Sequence, residues 1–342
     1  MYAEEKITIS VNARTLAEVL SKAADEGLSL SEYTIKSWRL ASPVIIDITP
    51  LPKSFAEGYK FDPPLSISNI NEEKIVVSLN NYESGEMNHL YNHELWGQFS
   101  RFLPIKYTLR VLASLGENIT LYQWQDEISK NAFDVQKYFR NKDIKLRISR
   151  GSQLASGFPK IDEKFRGAKS MSRFLNHFTA TIQGGGEGRI TGMCAEMGFI
   201  AIDRKTKVTR LTNLGLKYVK LINPQLDEYS DNTSSMSQEE IDFLLPHIKE
   251  FISQEWGLMC TVLFVIKEGY NLSKNLELGA IKAYPRNGEI NGFGTYVRGA
   301  LSRLCVFGLV KRTWDRRIVT YSLTDEGEKI LENFDVNRGV EL

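Results

Sequence analysis

Apolar and polar positions alternate with two different periods along this chain, and the pattern is clearest between residues 299 and 330. Val297, Ala300, Leu301, Leu304 and Cys305 recur at helical spacing and mark one buried face. Gly308 follows where a helix of this kind commonly stops. Residues 309–313 and 318–323 are β-prone runs, with Trp314, Asp315, Arg316 and Arg317 in the predicted turn between them. Thr324 is placed to cap a last helix over 325–331, whose acidic first turn suits the positive end of a helix dipole.

The same phrase occurs earlier. Met197-Gly198-Phe199-Ile200 aligns with Phe307-Gly308-Leu309-Val310, and Leu211-Thr212 followed by Gly215 aligns with Leu323-Thr324 followed by Gly327. The offsets are 110 and 112 residues, so the first hairpin turn, around 203–207, is two residues shorter. Repetition of a whole supersecondary unit is a stronger signal than either copy alone.

Upstream of the first copy, a helix is predicted over 104–115 and a second after Thr120, burying Leu121, Trp124 and Ile128. About 55 residues then intervene, including a short helix with Phe174, Leu175 and Phe178, before a helix over 189–197 leads into the hairpin. Upstream of the second copy, the pattern predicts a joining helix over 241–252 bent near Pro246, a core helix over 256–267, a helix over 276–283 capped by Ser273, and a third over 294–307. The Ser/Asn/Asp-rich run 223–239 reads as a linker. Residues 1–95 read as an acidic α/β segment, with strands at 6–11 and 44–48, a helix ending near 24, and a hairpin of 65–70 with 74–79. The expected organisation is therefore an α/β domain (1–95), a first repeat (96–222) with an insertion at about 131–186, the linker, and a second repeat (240–337). The fold class is α+β and mainly helical.

Helix, basic hairpin and then "SLTDEGEKIL" resembles the second half of a winged-helix DNA-binding domain, and "GLVKR…YSLTDEG" is a familiar seam of winged-helix transcription regulators. The resemblance implies tandem winged-helix domains, the first with a large basic insertion. In that family the third helix enters the major groove and the hairpin, or wing, touches the backbone or minor groove. From 101 to about 331 the layout also resembles the multi-winged-helix recognition region of type IIS restriction endonucleases, in which inserted helices and basic loops embrace the duplex.

Charge sharpens this picture. The 342 residues carry a net charge of only +1, with 42% hydrophobic and 25% charged residues, as in an ordinary globular protein. Residues 131–173 nevertheless hold seven more Lys and Arg than Asp and Glu, and 282–317 hold six more, whereas 1–100 hold six fewer. Basic clusters on both repeats point to a polyanionic partner. No apolar run approaches the ~18 residues of a membrane span, and no secretory leader pattern opens the sequence. Cys194, Cys260 and Cys305 lie far apart in apolar contexts and read as reduced core residues of a cytoplasmic protein.

Double-stranded DNA is accordingly the expected partner. Asn291, Thr295, Arg298 and Ser302 in the second repeat, and Arg189 and Thr191 in the first, are the candidate base contacts, because Arg matches guanine O6 and N7 and Asn matches adenine N6 and N7. Lys311, Arg312, Trp314, Arg316 and Arg317 on the second wing, and Lys205 and Lys207 on the first, suit phosphates or a narrow minor groove. Lys145, Arg147, Arg150, Lys160, Lys164, Arg166, Lys169 and Arg173 form a candidate backbone clamp. The glycine-rich run 183–189 lacks the Lys-Ser/Thr ending of a phosphate-binding loop. His89 and His93, with Glu94 adjacent, lack the third and fourth ligands of a metal site, and no metal or cofactor is expected. The expected function is sequence-specific DNA binding without catalysis, in transcription regulation or as a recognition subunit. One alternative is a component of a restriction system with Mg²⁺-dependent nuclease chemistry in 1–95, where Asp62, Glu72 and Lys74 match the Glu-x-Lys spacing although Glu72 precedes the predicted strand. Another is a winged-helix scaffold for protein interaction, with 1–95 as a partner or self-association surface.

Overall fold

The described part of the chain is mainly helical, with three two-stranded antiparallel sheets. A computed structural model describes residues 94–332 apart from 117, 150, 161–166, 183–189, 228–231, 285–291 and 316–317. These residues all belong to one compact unit, 63–342. The elements expected in 1–93, including Asp62, Glu72, Lys74, His89 and His93, lie outside them.

In the first repeat, helix α1 (Leu103–Leu115) carries Pro104 in its first turn, where a missing N–H costs nothing. Helix α2 (Leu121–Lys145) begins with a capping box: Gln123 N–H donates to Thr120 Oγ1, and Gln123 Oε1 accepts from Thr120 N–H. It runs for 25 residues because Ile128, Ala132, Val135 and Phe139 extend one buried stripe. The start of the predicted insertion is thus a continuation of the second helix. Buried Asp143 accepts from the N–H groups of Leu154 (2.7 Å) and Ala155 (3.1 Å) and folds the following loop back. Phe158 in that loop packs against Tyr107, Phe139 and Phe174. Helix α3 (Gly167–Phe178) follows, then strands β1 (Thr181–Ile182) and β2 (Ile190–Thr191), the single turn α4 (Met193–Glu196), strands β3 (Ile200–Ile202) and β4 (Thr209–Leu211), and α5 (Asn213–Lys220).

The helix expected over 189–197 is therefore not formed as such. Ile190 and Thr191 are β-branched and pair with Ile182 and Thr181, and Gly192 at φ +111° turns the chain before α4 starts. Thr191 stands on a strand, and Arg189 lies outside the described residues.

The second repeat comprises α6 (Gln238–Phe251), α7 (Ser253–Lys267), α8 (Ser273–Ala283), α9 (Phe293–Val306), β5 (Val310–Asp315), β6 (Ile318–Leu323) and α10 (Asp325–Glu332). Helix α7 is buried almost all round, with Leu258, Met259, Val262, Leu263 and Val265 inside, and α6, α8, α9, α10 and β6 pack against it. Pro246 is accommodated within α6, and the break falls at Ile252 instead. Ser273 is the first residue of α8 rather than its cap; Leu272, bridged to Thr320, holds the cap position. Trp314 and Asp315 belong to β5, opposite Val319 and Ile318, not to the turn.

The two repeats share one set of hydrogen bonds. Phe199 N–H donates to Cys194 O and Leu309 N–H to Leu304 O, both at 3.0 Å. Thr212 Oγ1 donates to Gly198 O (2.7 Å) and Thr324 Oγ1 to Gly308 O (2.8 Å). Each threonine then caps its helix by accepting from Gly215 or Gly327 N–H. Gly198 and Gly308 sit at φ +68° and +72°, the left-handed conformation that ends the preceding helix. Single rungs, Thr120 with Val208 and Leu272 with Thr320, tie the start of the second helix of each repeat to its hairpin.

Buried charges join the repeats. Lys106 of α1 pairs with Glu240 of α6 at 3.2 Å and donates to Tyr218 O. Arg110 of α1 makes a fork to both oxygens of Asp227 at 2.6 Å and reaches Leu221 O at 3.0 Å. Burial pushes the Lys106 ammonium down to about 8 and the Glu240 carboxyl up. The polar run after α5 is folded into this network: Asn223 donates to Glu240 Oε2 (2.8 Å) and Ser235 O, and Gln225 donates to Asn232 O. Arg303 of α9, Glu255 of α7 and residues 94–99 form a second buried cluster. Arg303 pairs with Glu255 at 2.7 Å and donates to Phe99 O at 2.8 Å, while Leu95 N–H donates to Glu255 Oε2 at 3.0 Å.

Arg303→Met should lower stability by about 3–5 kcal/mol, because it strands a buried carboxylate, and Arg303→Met/Glu255→Met should recover part of that loss. Urea midpoints at an unchanged m-value measure both. A Cβ at Gly215 would collide with Phe199 O, and one at Gly327 with Leu309 O. Gly215→Ala and Gly327→Ala should therefore each cost about 1–3 kcal/mol, read by the same titration.

Candidate nucleic-acid interface

Helix α9 has two sides of different character. Phe293, Val297, Ala300, Leu301 and Leu304 face the core. Thr295 and Ser302 are half-buried and Arg298 is exposed, one helical turn apart along the outer side. Arg298 Nη1 lies 3.0 Å from Glu277 Oε2 on α8, and its Nη2 donates to Thr295 Oγ1 at 3.3 Å. The arginine side chain is 59% exposed, so this pair is worth at most about 1 kcal/mol and is cheap to exchange for another acceptor. Residues 94–99 cover the adjoining flank of α9. Gly97 touches Thr295 and Gly299, where a Cβ would collide with the Thr295 carbonyl, and Trp96 meets Tyr296 edge to face at 5.2 Å.

The β5–β6 hairpin projects beside α9. Lys311 and Thr313 are exposed, and Trp314 is 44% exposed. Arg312 lies over the Trp314 ring at 4.8 Å, an arrangement that stiffens both side chains. Thr313 and Thr320 share a hydroxyl hydrogen bond across the hairpin at 2.6 Å. Arg312 also approaches Gly151 in the loop after α2, and Arg101 donates to Gly151 O. Arg101 is a cation that sequence reading did not single out. Burial, with Arg312 as a further like charge, holds its guanidinium below its ordinary value. Its neighbourhood with Arg312 joins residues 211 positions apart, which no local pattern announces.

On the shorter β3–β4 hairpin, Asp203 Oδ1 accepts from the N–H groups of Lys205 (2.8 Å) and Thr206 (2.9 Å). Those bonds hold the Asp203 carboxyl below its usual range. Lys205 is exposed, while Lys207, at φ +61°, turns back to donate to Arg204 O. Lys145, Arg147, Lys160, Lys169 and Arg173 are all exposed. Lys160 N–H donates to Ser170 Oγ at 2.9 Å, which brings Lys160 beside the first turn of α3. Asn291, Arg316, Arg317, Arg150, Lys164 and Arg166 lie outside the described residues.

No protein-family model, curated protein or solved structure matches the chain.

The geometry places Thr295, Arg298 and Ser302 on one side of α9, and Lys311, Arg312 and Trp314 on the hairpin that follows it. It does not bring Thr191 to a helix face. Among the described residues no helix is long and apolar enough to cross a membrane. Ser172 and Asn176, exposed on α3 beside Lys169 and Arg173, were not singled out from sequence. The signal for them was present: they continue a polar stripe at spacings of three and four opposite Met171, Phe174 and Phe178.

Proposed function

We propose that the chain is a sequence-specific double-stranded-DNA-binding protein built of two winged-helix repeats. It has no catalysis of its own and acts in the cytoplasm as a transcription regulator or as a DNA-recognition subunit. The observation that carries this reading is the repeated passage from helix to hairpin to capped helix, held by the same hydrogen bonds in both copies and carrying exposed cations on each hairpin. In the second copy, α9 offers a hydroxyl, a guanidinium and a second hydroxyl in line, which suits a base-reading face. The adjacent hairpin offers Lys311, Arg312 and an exposed indole, which suits phosphates and the edge of the minor groove. Arg298 exchanges Glu277 for a guanine edge on binding, replacing one exposed ion pair by a two-bonded contact in a drier site.

Selection from a random duplex pool at two salt concentrations tests this reading. An enriched motif is expected. Arg298→Ala should lose about 1–3 kcal/mol at one base position and relax selection there. Lys311→Ala should weaken all sequences alike and reduce the slope of log affinity against log salt by about one. Equal binding to every sequence, unchanged by Arg298→Ala, would overturn sequence-specific recognition.

A further inference from the structure

The first repeat lacks a continuous third helix, yet its pieces lie where one would run. Helix α3 ends at Phe178, whose carbonyl oxygen accepts from Thr108 Oγ1 at 3.0 Å and from Cys194 Sγ at 2.9 Å. Cys194 belongs to α4, so the single turn of α4 resumes against the end of α3. The chain between them leaves through β1 and returns through β2. Gly192 permits that return, because a Cβ there would collide with Thr179 O and Ala180. The shared hydrogen bonds set the register. Cys194 O takes the Phe199 N–H as Leu304 O takes the Leu309 N–H. Helix α4 is thus the counterpart of the last turn of α9, and α3 is the counterpart of its earlier turns.

Resting on the DNA-binding reading above, we propose that α3 is the base-reading helix of the first repeat, with the β1–β2 excursion inserted before its last turn. Met171, Phe174 and Phe178 anchor its inner face. Lys169, Ser172, Arg173 and Asn176 are exposed on the opposite face, spaced i, i+3, i+4 and i+7 so that they form one stripe. The helix contains no carboxylate, and Lys160 adds a cation beside its first turn. Such a face complements the major groove. Arg173 carries the planar fork that matches guanine O6 and N7, and Asn176 has its Oδ1 positioned by the Thr181 hydroxyl at 3.0 Å. Lys169 and Lys160 suit the flanking phosphates.

The two reading helices are held at a fixed spacing. Phe99 accepts from Arg303 of α9 through its carbonyl and meets the His177 ring of α3 at 5.9 Å. Helices α3 and α9 therefore touch the same short segment, and one duplex engages both in a bipartite site of invariant spacing.

The test is selection from a random duplex pool with the full chain, repeated for Arg173→Ala, Arg173→Lys and Arg298→Ala. The wild type is expected to select two submotifs at one spacing. Arg173→Ala should erase the base preference of one submotif, with a loss of about tenfold or more on the selected duplex, and leave the other intact. Arg298→Ala should do the converse. Arg173→Lys keeps the charge and loses the fork, so it should erase the same preference while preserving the salt slope. An unchanged far-ultraviolet circular dichroism spectrum accompanies each variant, since Arg173 is exposed. If the wild type selects a motif that both Arg173 variants leave untouched, or that they weaken uniformly across sequences, α3 is a backbone contact at most and this inference fails alone. If the wild type selects nothing, the DNA-binding reading fails and takes this inference with it.

Discussion

Two buried clusters of charge hold the described structure together. Lys106, Arg110, Asp227 and Glu240 join the first repeat to the start of the second, and Arg303 with Glu255 joins α7 and α9 to residues 94–99. A buried ion pair adds little net stability compared with an apolar pair of the same shape, since desolvation offsets most of the attraction. It imposes direction instead. A guanidinium deprived of water must find its acceptors at set angles, and Arg303 finds them on Glu255, Phe99 and Leu95. Hydrophobic packing alone would let the repeats slide against each other. These clusters fix the angles at which their segments meet, and residues 94–99 touch both α9 and α3.

How much of this was legible in the chain depends on how local each determinant is. The helix-to-hairpin seam was legible because each of its residues answers a local demand: a left-handed glycine, a capping threonine, a glycine against a carbonyl. The length of α2 was partly legible in the spacing of Ile128, Ala132, Val135 and Phe139, with Lys130 and Lys137 interleaved on the solvent side. The helix expected from the repeat over 189–197 gives way at Ile190 and Thr191, whose β-branched side chains, with the turn at Gly192, favour a strand. Lys106, Arg110 and Arg303 were not legible as core residues at all. A basic residue in a helical pattern reads as solvated unless its partner is known, and these partners stand 109 to 117 residues away for Arg110 and in two separate segments, α7 and residues 94–99, for Arg303.

The insertion in the first repeat follows the same economy. Breaking a helix inside a core exposes carbonyl groups that must be satisfied. Phe178 O has two donors, Thr108 and Cys194, each from an element already in place. The break is thus tolerated where it falls, and the hairpin it admits changes what lies around α3 without disturbing the seam downstream. Under the proposed reading, the two repeats present reading faces of different residues from one plan: Thr295, Arg298 and Ser302 on α9, and Lys169, Ser172, Arg173 and Asn176 on α3.

The hairpins differ in length, and that difference has a mechanical meaning. At about 3.3 Å per residue, a three-residue strand such as β3 is an arm of roughly 10 Å, and a six-residue strand such as β5 one of roughly 20 Å. Each arm is braced from the side by an isolated bridge, Thr120 with Val208 at the turn end of β4 and Leu272 with Thr320 midway along β6. In the longer arm two further rungs, Trp314 with Val319 and Asp315 with Ile318, extend past the brace, whereas in the shorter arm the brace stands next to the turn. Stacking Arg312 on Trp314 along that arm acts as a splint. The described chain therefore has one short arm supported near its turn and one long arm whose outer rungs extend past their support.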